Sequence, residues 1–139
     1  MTIKVLISAQ LSTISPEQNR NVHHFLRRDL TASLLAGGIQ GFREVTGVYR
    51  GQRERSFLVE VDVLTENHVA SFAELARRYS QESVLFVGED DVGCLLYTDG
   101  REQGQLEFLP GKWHRFDPTI AGSEPESYTV DGDDYFTIS

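Results

Sequence analysis

An α+β fold built on one antiparallel sheet is predicted for this chain, and three observations carry the prediction. Short apolar, β-branched runs and two amphipathic helical stretches follow one another in the order β-α-β-β-α-β. The two central strands are joined by a short connector and read as a hairpin. The totals agree: 139 residues, 40% hydrophobic and 24% charged, suit a single domain that buries its own core.

The first element is residues 3–8, IKVLIS, where adjacent Val5, Leu6 and Ile7 suit a central strand. Residues 12–15 form a break. Ser15-Pro16-Glu17 then reads as a helix start: a capping hydroxyl, proline in the first turn and an acid beside the positive end of the dipole. Val22, Phe25, Leu26, Leu30, Ser33 and Leu34 recur at helical spacing as one apolar face, and Gly37-Gly38 stops the helix. Strands follow over 42–49 and 56–63; in the second, Phe57, Val59 and Val61 alternate with Leu58, Glu60 and Asp62. Thr65 caps a second helix over 66–79, with Val69, Phe72, Ala73, Ala76 and Tyr79 on its packing face. Residues 84–87 make the next strand. Residues 93–97 and 105–109, joined through Asp99-Gly100, make an added C-terminal hairpin.

This order of elements is that of the ferredoxin-like fold, in which both helices lie on one face of the sheet. The other face then needs cover, from the tail or from neighbouring subunits. Two units are expected: a body over 1–117 and an acidic tail over 118–139. The tail reads as a loop through Pro118, Gly122, Pro125 and Gly132 until residues 135–138, which can dock as an edge strand.

Composition removes several function classes. The net charge is −8, from 13 basic and 21 acidic residues. Nucleic acid is therefore not expected as a partner, because phosphate binding needs a basic surface. Six of the acids (Asp117, Glu124, Glu126, Asp131, Asp133 and Asp134) fall within residues 117–139, leaving 13 basic against 15 acidic residues before Asp117. No run approaches membrane-spanning length and no leader precedes the first strand, so no membrane association and a cytoplasmic location are expected. The single cysteine, Cys94, sits in an apolar run and reads as a buried thiol in a reducing compartment.

Metal and cofactor signals are missing. His23 and His24 are adjacent and point to different sides of a helix, and the spacing of His68, Cys94 and His114 matches no zinc pattern. The glycine-rich 37–41 follows a helix and precedes a strand, the wrong order for a phosphate cradle. Trp113 reads as a core or interface residue. Neither a metal nor a cofactor is expected.

Chemistry concentrates instead at the hairpin connector, residues 49–55, YRGQRER: one phenol, three guanidinium groups and one carboxylate in seven residues. Composition alone admits a solvated hairpin tip, with Glu54 in a surface ion pair with Arg50, Arg53 or Arg55 worth about 0–1 kcal/mol. Composition by itself favours that reading; the alternative is a binding site, because loops on rigid scaffolds are where such sites gather.

The pattern along the chain resembles the small bacteriophage enzymes that degrade S-adenosylmethionine (SAM), the SAM hydrolases, which are lyases by reaction. The resemblance covers Val5 to about Asp117. It rests on Val5-Leu6-Ile7-Ser8-Ala9, Thr46-Gly47-Val48-Tyr49-Arg50, Glu54, the helix 66–79, Val84-Leu85-Phe86-Val87, residues 93–97 and Leu109-Pro110-Gly111. It implies a ferredoxin-like subunit in a homotrimer with active sites between subunits. It also implies cleavage of SAM to 5′-methylthioadenosine and homoserine lactone, or homoserine if water intervenes, and an anti-restriction role in a host cytoplasm. Residue by residue, Tyr49 and Glu54 match the family's functional tyrosine and glutamate. Arg50 is a neighbouring substrate-binding candidate, and Ser8 and Ala9 sit where the first strand would meet the nucleoside.

The chemistry can be built independently of the resemblance. If the SAM carboxylate attacks its own Cγ, a cation and an anion cancel, so confinement in a dry pocket is the main demand. Glu54 could anchor the ammonium group or, with water as nucleophile, act as general base, and Tyr49 could face the sulfonium. Two rivals stand beside this reading. One is a non-catalytic protein that binds or sequesters adenine nucleotides; the other is an interaction module acting through the acidic tail.

Overall fold

The computed structural model describes residues 2–11, 13–120 and 125–139. Its elements are β1 (Ile3–Ser8), α1 (Pro16–Leu35), β2 (Gly41–Tyr49), β3 (Gln52–Val61), α2 (Glu66–Arg78), β4 (Ser83–Val87), β5 (Gly93–Tyr97), β6 (Leu106–Phe108), β7 (Trp113–Phe116), β8 (Ser127–Asp131) and β9 (Asp134–Ile138). The chain is thus a mixed helix and sheet protein. Among the described residues the sheet has nine antiparallel strands in the order β6-β5-β4-β1-β3-β2-β8-β9-β7. Among the described residues no helix is long and apolar enough to cross a membrane.

Local chemistry explains both helices. Ser15 Oγ accepts from the Gln18 amide at 3.1 Å while the Gln18 side chain accepts from the Ser15 amide at 3.0 Å, so two orphan donors of the first turn are satisfied reciprocally. Thr65 and His68 repeat the device at the start of α2. Gly37, at φ +80°, ends α1 in the left-handed region that glycine tolerates.

The sheet buries both of its faces. On one, Val5, Ile7, Phe57, Val59 and Val61 pack with Leu26 and Leu30 of α1 and Phe72, Ala73 and Ala76 of α2. On the other, Leu6, Val45, Leu58, Leu85 and Val87 pack with Trp113, Phe136 and Ile138. The cover the second face needs therefore comes from β7 and β9. The sheet curls around this second core far enough that the Trp113 amide donates to the Asp91 carbonyl, just before β5, at 2.8 Å.

Four expectations are corrected. The connector 49–55 is not a loop. Arg50 and Gly51 both have positive φ, +49° and +81°, and close a two-residue turn, so β3 begins at Gln52. The tail is not loop-like before residue 135. Asp131 and Asp134 are joined by Gly132 at φ +60°, and β8 pairs with β2 while β9 pairs with β8 and β7. Of the tail and break signals, Ser12, Gly122 and Glu124 lie outside the described residues. β7, absent from the sequence reading, is a four-residue strand led by the buried Trp113. Finally, Phe25 and Leu34 remain exposed on α1, and the inward stripe is His23, Leu26 and Leu30. His23 takes its place by stacking on Phe57, ring centroids 4.4 Å apart.

Gly111 tests how the curl is closed. Its φ is +92°, and a Cβ there would overlap the backbone of Ser139, which is held by reciprocal hydrogen bonds with Lys112 at 3.1 and 3.2 Å. Gly104 has a similar φ, +87°, but open space around it. Gly104→Ala is expected to cost about 1–2 kcal/mol, the left-handed penalty alone. Gly111→Ala should cost about 3 kcal/mol, adding the collision, as read from urea denaturation midpoints.

Candidate active site

The period of two along β3 decides which side chains meet. Phe57, Val59 and Val61 face the helices, so Ser56 and Leu58 face the inside of the curl. Counting back, Glu54 and Gln52 share that inner face. The ladder then fixes their neighbours: Tyr49 lies opposite Gln52, Gly47 opposite Glu54, Val45 opposite Ser56 and Ser8 opposite Ser56. On the far side of β2, Thr129 lies opposite Gly47 and Ser127 opposite Tyr49.

Three of the expected residues, Tyr49, Glu54 and Ser8, therefore share one face and one end of the sheet. Tyr49 is 55% exposed and Ser8 only 7%. Ala9 is not with them. It follows Ser8 and belongs to the helix-side core at 1% exposure, so only its backbone lies near the site. Arg50 stands at the rim, tied to the tail: its amide donates to the Glu126 carbonyl at 2.8 Å and its side chain pairs with the Glu126 carboxylate. Its guanidinium carbon is 5.2 Å from the Tyr49 ring centroid.

The same alternation removes the surface ion pair as an account of Glu54. Arg53 and Arg55 have the opposite parity and project toward the helix side, where Arg55 lies 3.9 Å from Glu44. Arg50 is engaged by Glu126. Among the described residues none of the three arginines pairs with Glu54.

Desolvation by the surrounding strands pushes the Glu54 carboxyl above its ordinary range, and a hydrogen bond with the Ser8 hydroxyl offsets part of that shift. The residue itself keeps an exposed edge, so the carboxyl is crowded without being sealed. Ser8 has a single proton to give, and the Arg55 carbonyl competes for it at 2.8 Å. When the carbonyl holds that proton, the ionised carboxylate loses a donor, which reinforces the upward shift. A carboxylate with no arginine paired to it on its own face can receive a cationic ligand, and such a ligand would favour the ionised form.

The first turn after β1 is pinned beside this cluster. The Gln81 side chain donates to the Gln10 carbonyl at 2.9 Å, and Asn19 exchanges two 2.9 Å hydrogen bonds with the Leu11 backbone. The Gln10 side chain accepts from the Arg55 amide. Ser56 and Thr129 were not legible as site neighbours, because single small polar residues in strands form no motif; Gln10 lies beyond the end of β1, and Gly47 stood out only as one residue of the run 46–50. Counting the strand period back from Leu58 was the available signal. Two clefts lie elsewhere. One of about 340 Å³ runs between α1 and α2 past Leu30, Phe72 and Arg78, and one of about 550 Å³ runs past Phe116, Asp117 and Tyr135. Neither takes in Tyr49 or Glu54, which stand at an open rim.

The raised Glu54 pKa has a signed consequence for stability. The folded state binds this proton more tightly than the unfolded chain, so ionisation costs stability as pH rises from the ordinary carboxylate range through the raised value. Glu54→Gln removes that cost. Its melting temperature should exceed the wild type's at pH 7, and the gap should close as the pH falls below about 4, where both side chains are neutral.

Comparison with known proteins supplies the remaining observation. A model of the S-adenosylmethionine lyase family matches residues 5–139, including the tail beyond Asp117 that the sequence resemblance left out. The curated proteins gave no match.

Proposed function

The chain belongs to the S-adenosylmethionine lyase family and is an enzyme acting on S-adenosylmethionine; from that premise we propose that it cleaves SAM to 5′-methylthioadenosine and homoserine lactone at a site between subunits of a homotrimer. The observation that carries this reading is the shared inner face of Tyr49, Glu54 and Ser8 around an arginine-free carboxylate. The central strand order β4-β1-β3-β2 supports taking the core as a ferredoxin-like unit. The body over 1–117 then carries the site, and the acidic segment 118–139 braces it through Glu126.

In the proposed reaction the substrate carboxylate oxygen attacks Cγ, the Cγ–S bond breaks, and its electron pair neutralises the sulfonium. One C–O bond forms as one C–S bond breaks, and no proton has to move. The protein's task is then to hold the chain curled and to exclude water, since water stabilises the separated charges that the reaction cancels. Glu54 anchors the ammonium group. The Tyr49 ring faces the sulfonium, an interaction of about 0.5–2 kcal/mol. Ser8 holds the Glu54 carboxylate in place, and the backbone at Ala9 borders the nucleoside. Arg50 fixes the rim by its tie to Glu126. The open rim of one protomer supports closure by a neighbouring copy, which would exclude water from the reacting charges. Removal of SAM in a host cytoplasm would deprive restriction and methylation systems of their methyl donor.

Glu54→Gln is expected to lower release of methylthioadenosine from SAM by about a hundredfold or more while leaving the oligomer's mass in size exclusion unchanged. Chromatography of the reaction measures the nucleoside and separates lactone from homoserine. A wild-type rate in Glu54→Gln would remove Glu54 from the chemistry. Stoichiometric SAM binding by the wild type without product would favour a sequestering protein.

A further inference from the structure

Gly47 lies inside β2, where glycine weakens a strand because it has no side chain to pack and more freedom to lose. Its backbone does not need glycine, because its φ is not in the left-handed region that sets Gly51 and Gly132 apart. Packing within the chain does not need it either. A Cβ at Gly47 would sit 3.6 Å from Ser56 Oγ and 3.8 Å from the Glu54 carbonyl oxygen, ordinary van der Waals distances. Alanine would fit, and the fold gives no reason for its exclusion.

The surroundings supply a reason. Gly47 is half-buried at the centre of the inner-face cluster. Glu54 lies across from it on β3 and Thr129 across from it on β8, while Val45 and Tyr49 stand two residues away along its own strand. Val45 and Thr129 are buried, and Tyr49 and Glu54 are exposed. The missing side chain therefore leaves bare backbone between the two residues assigned to the substrate's positive charges.

We infer that Gly47 is the floor of the substrate site and sets its specificity: the aminobutyrate chain of SAM lies across this bare backbone, its ammonium toward Glu54 and its sulfonium toward Tyr49. The inference rests on the reading of the site as a SAM lyase centre. A side chain at this position would lift the chain away from both groups. It would weaken binding before it altered chemistry.

The test is a steric series at Gly47 in the full-length protein, with Gly41→Ala as control. Gly41 starts the same strand with an ordinary φ and no atom within 4 Å of a built Cβ. Gly47→Ala should raise KM for SAM about tenfold and Gly47→Val about a hundredfold, with a smaller fall in kcat. The melting temperature of Gly47→Ala should equal or exceed the wild type's, and Gly41→Ala should keep the wild-type KM. If Gly47→Val does not fold, Gly47→Ala decides alone. Wild-type KM in Gly47→Ala, or a loss of activity that only follows a lost melting temperature, overturns the inference and leaves the lyase assignment standing. If the wild type itself releases no methylthioadenosine, the lyase assignment fails first and takes this inference with it.

Discussion

The register between β2 and β3 is the constraint on which the rest of the molecule depends. Arg50 and Gly51 close the hairpin with two positive φ values and no spare residue, so Tyr49 must face Gln52 and Glu54 must face Gly47. A slip of one residue would carry every β3 side chain to the opposite face. Phe57 and Val59 would leave the helix-side core, and Arg53 or Arg55 would present a cation where the carboxylate now stands. Two buried faces penalise that slip at once. The turn thus holds the packing and the charge of the site together.

Double burial of the central strands also explains why the tail is structural. Phe57 and Leu58 are neighbours in sequence, both essentially inaccessible, and each belongs to a different core. Exposing the Leu58 side would leave a broad apolar face wet. Trp113, Phe136 and Ile138 prevent this, with the Trp113 and Phe136 rings stacked at 5.1 Å. Arg43 joins the seam from the other end of β2, paired to Asp131 at 2.7 Å and to Glu60 at 2.6 Å. Part of the acid that looked like a free tail is therefore spent on the hairpin's arginines.

Much of this was legible in the sequence, and what was missed shares a physical cause. The helix starts at Ser15 and Thr65 are written in three or four consecutive residues, and the strands 3–8 and 93–97 in their own apolar content. β8 is different. Its pairing with β2 joins residues about eighty apart, and nothing local to SYTVD states that partner. The Asp131-Gly132 turn resembled its acidic surroundings more than it resembled the turn at Asp99-Gly100. For the site, Tyr49 and Glu54 were named through the family resemblance, whereas their shared face follows from strand parity alone. Parity also separates Ser8 from Ala9, which looked equivalent as neighbours in one motif. The inward stripe on α1 departs from the apolar spacing because a buried histidine, held by stacking on Phe57, takes the inward place while Phe25 stays exposed.

The β2–β8 seam carries a further consequence for how the chain is made. Until residues 127–131 have emerged from the ribosome, the outer edge of β2 has no strand beside it, although the β2–β3 hairpin can form long before. During that interval the nascent protein exposes a row of unanswered amides and carbonyls, the kind of edge that recruits foreign strands. Non-local pairing of this sort is slow to form. At that stage Arg43 keeps Glu60 but lacks Asp131, and Arg50 lacks Glu126, so the charge of Arg50 at the turn end of the waiting edge is unanswered and helps keep like copies apart until the acidic strand arrives.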